Sequence, residues 1–417
     1  MATKQTAEPA LLRMLDIRAA GARCRMLLGD LNGDGRMELV LIQADGGIDD
    51  RYVPHQVQCA TAYNLEGELL WQRGTPDPKA GGPGSDYPAQ LYDLDGDGCC
   101  ELVCVMDKRL LVLDGKTGEV REARPLPDPS AHDCIVLADL SGQGRPRDIL
   151  LKDRYRRMWA LDADFRLLWR HEGNLGHYPW AIDLDGDGRD EVMAGYDLLG
   201  ADGRVRWSCR DLDEHADCIW AGDLAGNGQT QLVIGGSVTV AYDAEGHELW
   251  RYDGSIESQH IALGRFRPEP PGLQVAGLDR IVRGGPNGGR DGIFLLGSDG
   301  RELWKEDRRT PGWLTIIETV RGWDGGEADH ILAYRRGGGE LPALLDGEGR
   351  AVCSFPRDGY VQHGDLTGGG RTHVLVYGEG EVAIYAAVPG ELIAARPGVP
   401  LAQTKRLYNA TLYPGGE

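Results

Sequence analysis

Three stretches of the chain set carboxylates at alternate positions of a glycine turn. They are Asp30, Asn32, Asp34 and Glu38; Asp93, Asp95, Asp97 and Glu101; and Asp183, Asp185, Asp187 and Glu191. The spacing D-x-[DN]-x-D-G-x-x-E turns hard oxygen donors toward one point, as a calcium ion with about six to eight oxygen ligands requires. The backbone carbonyls of Arg36, Cys99 and Arg189 would complete the three spheres. Weaker copies begin at Asp139, Asp223 and Asp365, with Arg147, Gln231 and His373 at the glutamate position. Those three are expected to be turns without metal.

A second group consists of histidines. The chain has only 10, yet His132, His177, His215, His260 and His363 all stand a few residues ahead of a glycine loop or its degenerate equivalent. They occur in AHD, GHY, EHAD, SQH and YVQH, beside Asp133, Tyr178, Asp217 and Tyr360, and DYP adds Asp86 and Tyr87. Basic residues follow the second apolar run of several units: Arg51 with Tyr52 and His55, Lys108, Arg154, Arg280 with Arg283, and Arg335 with Arg336. Histidine, tyrosine and arginine around an anion pocket are the groups that β-elimination from a uronic acid needs. Arginine neutralises the sugar carboxylate, a histidine or tyrosine removes the adjacent carbon's proton, and a neighbour protonates the departing oxygen.

The elements that must position these groups come from a repeat. Motif starts from Asp93 to Asp223 are 46, 44 and 40 residues apart, and the 142 residues from Asp223 to Asp365 hold two copies without the aspartates. Each unit runs from an apolar stretch through the glycine loop to a second and a third short run. A tight turn and a tryptophan strand close it: EGELLW, DFRLLW, DGRVRW, EGHELW and DGRELW. Glycine after an acid between β-rich runs marks a hairpin, and four short strands per unit mark propeller blades. The sequence therefore predicts an all-β chain forming a single propeller of eight four-stranded blades, or seven if one degenerate unit is not a blade. The tail is 1–10, the propeller 11–390 and the C-terminal extension 391–417. LLRMLDI near the N-terminus is expected to supply the last blade's fourth strand, and the tryptophans are expected to pack between blades. In such a ring the strand starts and the loops after the second strands share one rim, opposite the carboxylate loops.

Composition narrows the function. Lys+Arg 45 against Asp+Glu 65 gives a net charge of −20, which argues against nucleic acid as a partner. No apolar run approaches a membrane span. Nine cysteines without a CxxC pair read as free thiols, and Cys24, Cys134 and Cys218 as small buried hydrophobes. The N-terminus lacks the layout of a secretory signal, so a cytoplasmic monomer is expected, or an extracellular one if a leader has been removed. No nucleophile elbow, phosphate loop or zincin motif is present.

The carboxylate loops resemble the loop of an EF-hand without its helices, and their repetition resembles the FG-GAP calcium propellers. With the ELW strands and histidine-tyrosine strand starts, the chain also resembles the propeller polysaccharide lyases: rhamnogalacturonan, ulvan and rhamnose–glucuronate lyases. That resemblance implies a calcium-stabilised lyase of an anionic oligosaccharide or polysaccharide, cutting a rhamnose–uronate linkage. It implies His132 and His177 as acid and base with Tyr178 beside them, and Arg154 and Arg280 as carboxylate neutralisers. Tyr87, His215, His260, Arg51, Arg335, Tyr360 and His363 would bind the sugar. Two segments, Gly46–Gln58 and Arg280–Asp291, would close one end of a groove and favour exo attack. The rival reading is a non-catalytic calcium-dependent propeller that binds an anionic glycan or a protein. A quinone-dependent dehydrogenase fits less well, because such propellers carry tryptophan repeats without these loops.

Overall fold

The computed structural model describes residues 7–45, 55–80, 86–212, 214–269, 271–282, 290–308, 315–335, 340–378 and 380–401. Among them are eight four-stranded antiparallel sheets, seven of them built from consecutive strands. Their first strands are Arg25–Gly29, Ala89–Tyr92, Cys134–Ala138, Trp180–Ile182, Cys218–Gly222, Ser258–Gly264, Thr315–Val320 and Tyr360–Gly364. The two units without aspartates, blades six and seven, are complete, which decides for eight blades over seven. Blade eight takes its fourth strand from the N-terminus: Ala10–Asp16 pairs with Glu381–Ala386, setting Leu15 opposite Val382 and Asp16 opposite Glu381. The one helix described is a single 3-10 turn, Arg18–Ala20, and none is long and apolar enough to cross a membrane.

Burial falls from the innermost strand of each blade to its outermost. The strands Arg25–Gly29 and Cys134–Ala138 are buried at every position, so they read as near-continuous apolar runs. Outer strands such as Leu69–Gly74 bury only their tryptophan. Trp71 donates its indole N–H to the Gly115 carbonyl at 2.7 Å, a turn of the next blade. Trp169, Trp207, Trp250 and Trp304 do the same to Ala201, Ala244, Ser298 and Gly347. Each indole thus buries its face against the neighbouring hairpin while its one donor is satisfied. Where an indole packs on the turn it must carry glycine: Gly203 has φ +76°, and a Cβ there would lie 2.6 Å from the Trp169 ring.

The segment after residue 390 crosses the rim that carries the carboxylate loops. Ala395 N–H donates to Thr367 O at 2.8 Å, Gly398 N–H to Asp34 O at 2.9 Å and Leu401 N–H to Asp30 Oδ2 at 3.0 Å. The extension is therefore stitched to blades eight and one.

Candidate functional site

The carboxylate loops share one hydrogen-bond plan. In blade one, Asp30 accepts from Gly33 N–H at 2.8 Å and Gly35 N–H at 3.0 Å, while Leu31 N–H donates to Glu38 at 2.8 Å. Blades two and four repeat it with Asp93 and Glu101, and with Asp183 and Glu191. Asn32, Asp34, Asp95, Asp97, Asp185 and Asp187 each accept from a backbone N–H two residues on in the same way. Burial pushes Glu38 up to about 8 and Glu101 up to about 7, with nearby aspartates adding to the shift, and it raises Glu191 as well. Buried carboxylates crowded by like charges are a fitting donor set for a hard divalent cation. Oxygens of Asp93, Asp95 and Glu101, and of Asp183, Asp185 and Glu191, lie within 4.8 Å of one another and could hold a metal.

Sequence reasoning missed the cations that already answer these acids. Arg121, on the fourth strand of blade two, sets Nη1 2.9 Å from Asp95 and 2.7 Å from Glu101. Arg206 does the same in blade four, at 2.7 Å from Asp185 and 2.8 Å from Glu191. In blade one the Asn32 amide donates to Glu38 at 3.1 Å. The incomplete loops keep the plan with other acceptors: Gln231 takes the Leu224 N–H and Gln274 the Arg267 N–H, both at 2.8 Å. In blade three the spacing puts Arg147 at the glutamate position, but the structure uses Asp148, one residue later, to bind Ser141 N–H at 2.8 Å.

On the opposite rim, blades three to five bring four side chains together. His177 Nε2 lies 3.1 Å from His215 Nε2, and both are 3.5 Å from Asp217 Oδ1. Tyr155 closes the group, its ring centroid 5.4 Å from His177 and 5.2 Å from His215. His177 and Asp217 are buried, whereas the His215 side chain keeps 30% of its surface exposed. Burial raises Asp217 to about 6, against the bond to His215, which lowers it. These three ligand atoms could share a proton or hold a metal ion. Tyr155 is the member the sequence did not suggest; only its place inside KDRYRR hinted at it.

Other rim residues point elsewhere. Tyr178 follows His177 but packs in the core between blades three and four, its hydroxyl accepting from Gln90 at 3.1 Å and donating to Ile135 O at 3.1 Å. His132, half-buried, meets His55 O at 3.1 Å through Nδ1. His260 is buried within blade six, and His363 bonds Glu318 at 2.8 Å, with Tyr334 donating to the same carboxylate. Tyr87 donates to Arg23 O at 3.2 Å.

The basic residues of this rim are largely answered by acids. Arg154 lies 3.3 Å from Asp133 and 3.5 Å from Asp86, and Lys152 takes the other Asp133 oxygen at 2.9 Å. Arg280 is 3.6 Å from Glu257, and Arg335 is 3.1 Å from Glu340. Arg51, Tyr52, Arg283 and Arg336 lie outside the described residues. All nine cysteines are free. Burial pushes the Cys24 thiol up to about 12 and those of Cys134 and Cys218 well above their ordinary value, so none supplies a thiolate.

No family model matches the chain. Over 323 residues it is 24% identical to the rhamnogalacturonan exolyase YesX of Bacillus subtilis strain 168, taking in 60% of this chain and 52% of that protein. The chain thus spans about half the length of the curated relative it matches. The crystal structure of YesX superposes with a TM-score of 0.70 at 19% identity, covering 99% of this chain and 80% of that one. A Bacillus licheniformis rhamnogalacturonan lyase of family PL11 gives 0.69 at 16%, covering 99% and 81%. The Vibrio cholerae biofilm matrix protein Bap1 gives 0.61 at 14%, covering 97% and 94%. These likenesses establish the fold.

Proposed function

We propose that the chain is a polysaccharide lyase that cuts a rhamnose–uronic acid linkage by β-elimination. The observation that carries this reading is the meeting of His177, His215, Asp217 and Tyr155 on the rim opposite the carboxylate loops. The similarity to rhamnogalacturonan lyases supports the substrate class.

Elimination breaks the C5–H bond of the uronate, forms the C4–C5 double bond and expels the C4 oxygen, which must gain a proton. His215, the solvent-facing imidazole, takes the C5 proton. His177 and Asp217 behind it fix its tautomer and stabilise the charge it gains. Tyr155, against both rings, delivers a proton to the leaving oxygen. Arg280, less buried than Arg154, faces the sugar carboxylate and lowers the cost of charge at C5. Calcium, bound at the carboxylate loops of blades one, two and four, would supply stability there and no step of the reaction.

The test is incubation with rhamnose–galacturonate and rhamnose–glucuronate oligosaccharides, following the ultraviolet absorbance of the unsaturated uronate. Product from either supports the lyase and names the uronate. Absence of product from both, with the oligosaccharides still bound, replaces it with a glycan-binding propeller.

A further inference from the structure

We propose that Arg25 is an anion-binding point for the carboxylate of an acidic sugar, on the same rim as the histidine cluster and on the other side of the ring. Arg25 opens the first strand of blade one, Tyr360 opens that of blade eight, and Tyr87 stands just ahead of that of blade two. The Arg25 guanidinium lies 3.7 Å over the Tyr360 ring and 5.6 Å from the Tyr87 ring. Tyr377 stacks on Tyr360 at 5.9 Å and is fixed by Met26 N–H, which donates to its hydroxyl.

Charge balance sets Arg25 apart. Arg154, Arg280 and Arg335 each have a carboxylate within ion-pair distance, whereas Arg25 has none among the described residues. It is 3% exposed, and its Nε and Nη1 are buried without a hydrogen-bond partner. Aromatic faces offset part of the cost of a desolvated guanidinium, but a charge left without a counter-ion in low dielectric is strongly disfavoured. A carboxylate satisfies both needs, since it supplies the charge and accepts from the open donors. Tyr360, half-buried, covers the guanidinium and is the ring that must turn aside. That the carboxylate belongs to a uronate rests on the lyase reading; the need for an anion does not.

Calorimetric titration of the whole chain at fixed ionic strength tests this with sodium galacturonate, sodium glucuronate, neutral galactose and sodium chloride. Uronate binding that galactose and chloride do not reproduce, weakened in Arg25→Lys and lost in Arg25→Met, is the expected result. Tyr360→Ala should tighten it. Equal binding of uronate and chloride would make the point a halide site and overturn the proposal. Should Arg25→Met not fold, Arg25→Lys and Tyr360→Ala decide. Wild-type uronate affinity in both, with only the melting temperature lowered, makes Arg25 a brace between blades and likewise overturns it. Uronate binding that depends on Arg25 without any unsaturated product would sink the lyase reading alone. Product with unchanged binding and KM in Arg25→Lys would sink this proposal alone.

Discussion

Asp217 stands at the pivot of the histidine cluster, because one buried oxygen is 3.5 Å from both imidazoles. A general acid or base contributes ~100- to 10,000-fold to turnover. His215→Ala and Tyr155→Phe should therefore lower turnover on a rhamnose–uronate substrate by that order, and His177→Ala should as well, through loss of the ring that holds His215. His247→Ala is the control: its ring is exposed and bonds Asp243 in an outer turn. Equal loss in His177→Ala and His247→Ala would remove the cluster from the chemistry, as would a melting temperature that falls in step with activity. The sequence placed His177, His215 and Asp217 on one rim because all three precede a first strand. It could not see Tyr155, which comes from the loop of blade three and meets them only where adjacent blades pack. Nor did it show that Tyr178 turns to Gln90 while His177 turns to His215.

Within a blade, strand order and the glycine loops were legible because most units repeat one hydrogen-bond plan with a different acceptor. Arg121 and Arg206 were not, since they reach the acids from the fourth strand and nothing in the D-x-D-x-D pattern encodes them. His373 takes the glutamate's role in blade eight, with Leu366 N–H 3.4 Å from its Nδ1. Burial holds its pKa below 6.5, so the folded state binds fewer protons than the unfolded chain. Its share of stability is complete above pH 6.5 and is lost as the pH falls through the lowered value. His373→Gln, a neutral acceptor like Gln231, should melt at a temperature less sensitive to mild acid than wild type; equal acid sensitivity would remove His373 as the cause. Calcium is proposed at the aspartate loops of blades one, two and four. A ligand at about 100 times its Kd adds about 2.7 kcal/mol per site, so chelation should lower the melting temperature. Asp185→Ala should shrink that response, and metal analysis together with melting curves checks both. At the hairpins, Gly203→Ala should cost about 1–2 kcal/mol for its left-handed backbone alone, and more for the approach to Trp169.

Across the whole ring, one blade is completed by a strand distant in sequence. Seven blades close by hairpins, but blade eight is completed by Ala10–Asp16 against Glu381–Ala386, with Tyr63, Leu65 and Leu392 packed in the same cluster as Leu15. The segment after residue 390 reinforces the joint from the other rim, through Ala395 on Thr367 and Leu401 on Asp30. Removing residues 1–16 would leave the strand Glu381–Ala386 with unpaired N–H and C=O groups along one side. A bare strand of mostly apolar residues is a template for another chain. The truncated protein should therefore elute as dimers or larger species and melt earlier than the full chain. A synthetic peptide of residues 7–17 should restore the full-length elution position by filling the gap. A truncated chain that stays at its full-length elution position with an unchanged melting curve would mean that the other blades hold the ring without this strand.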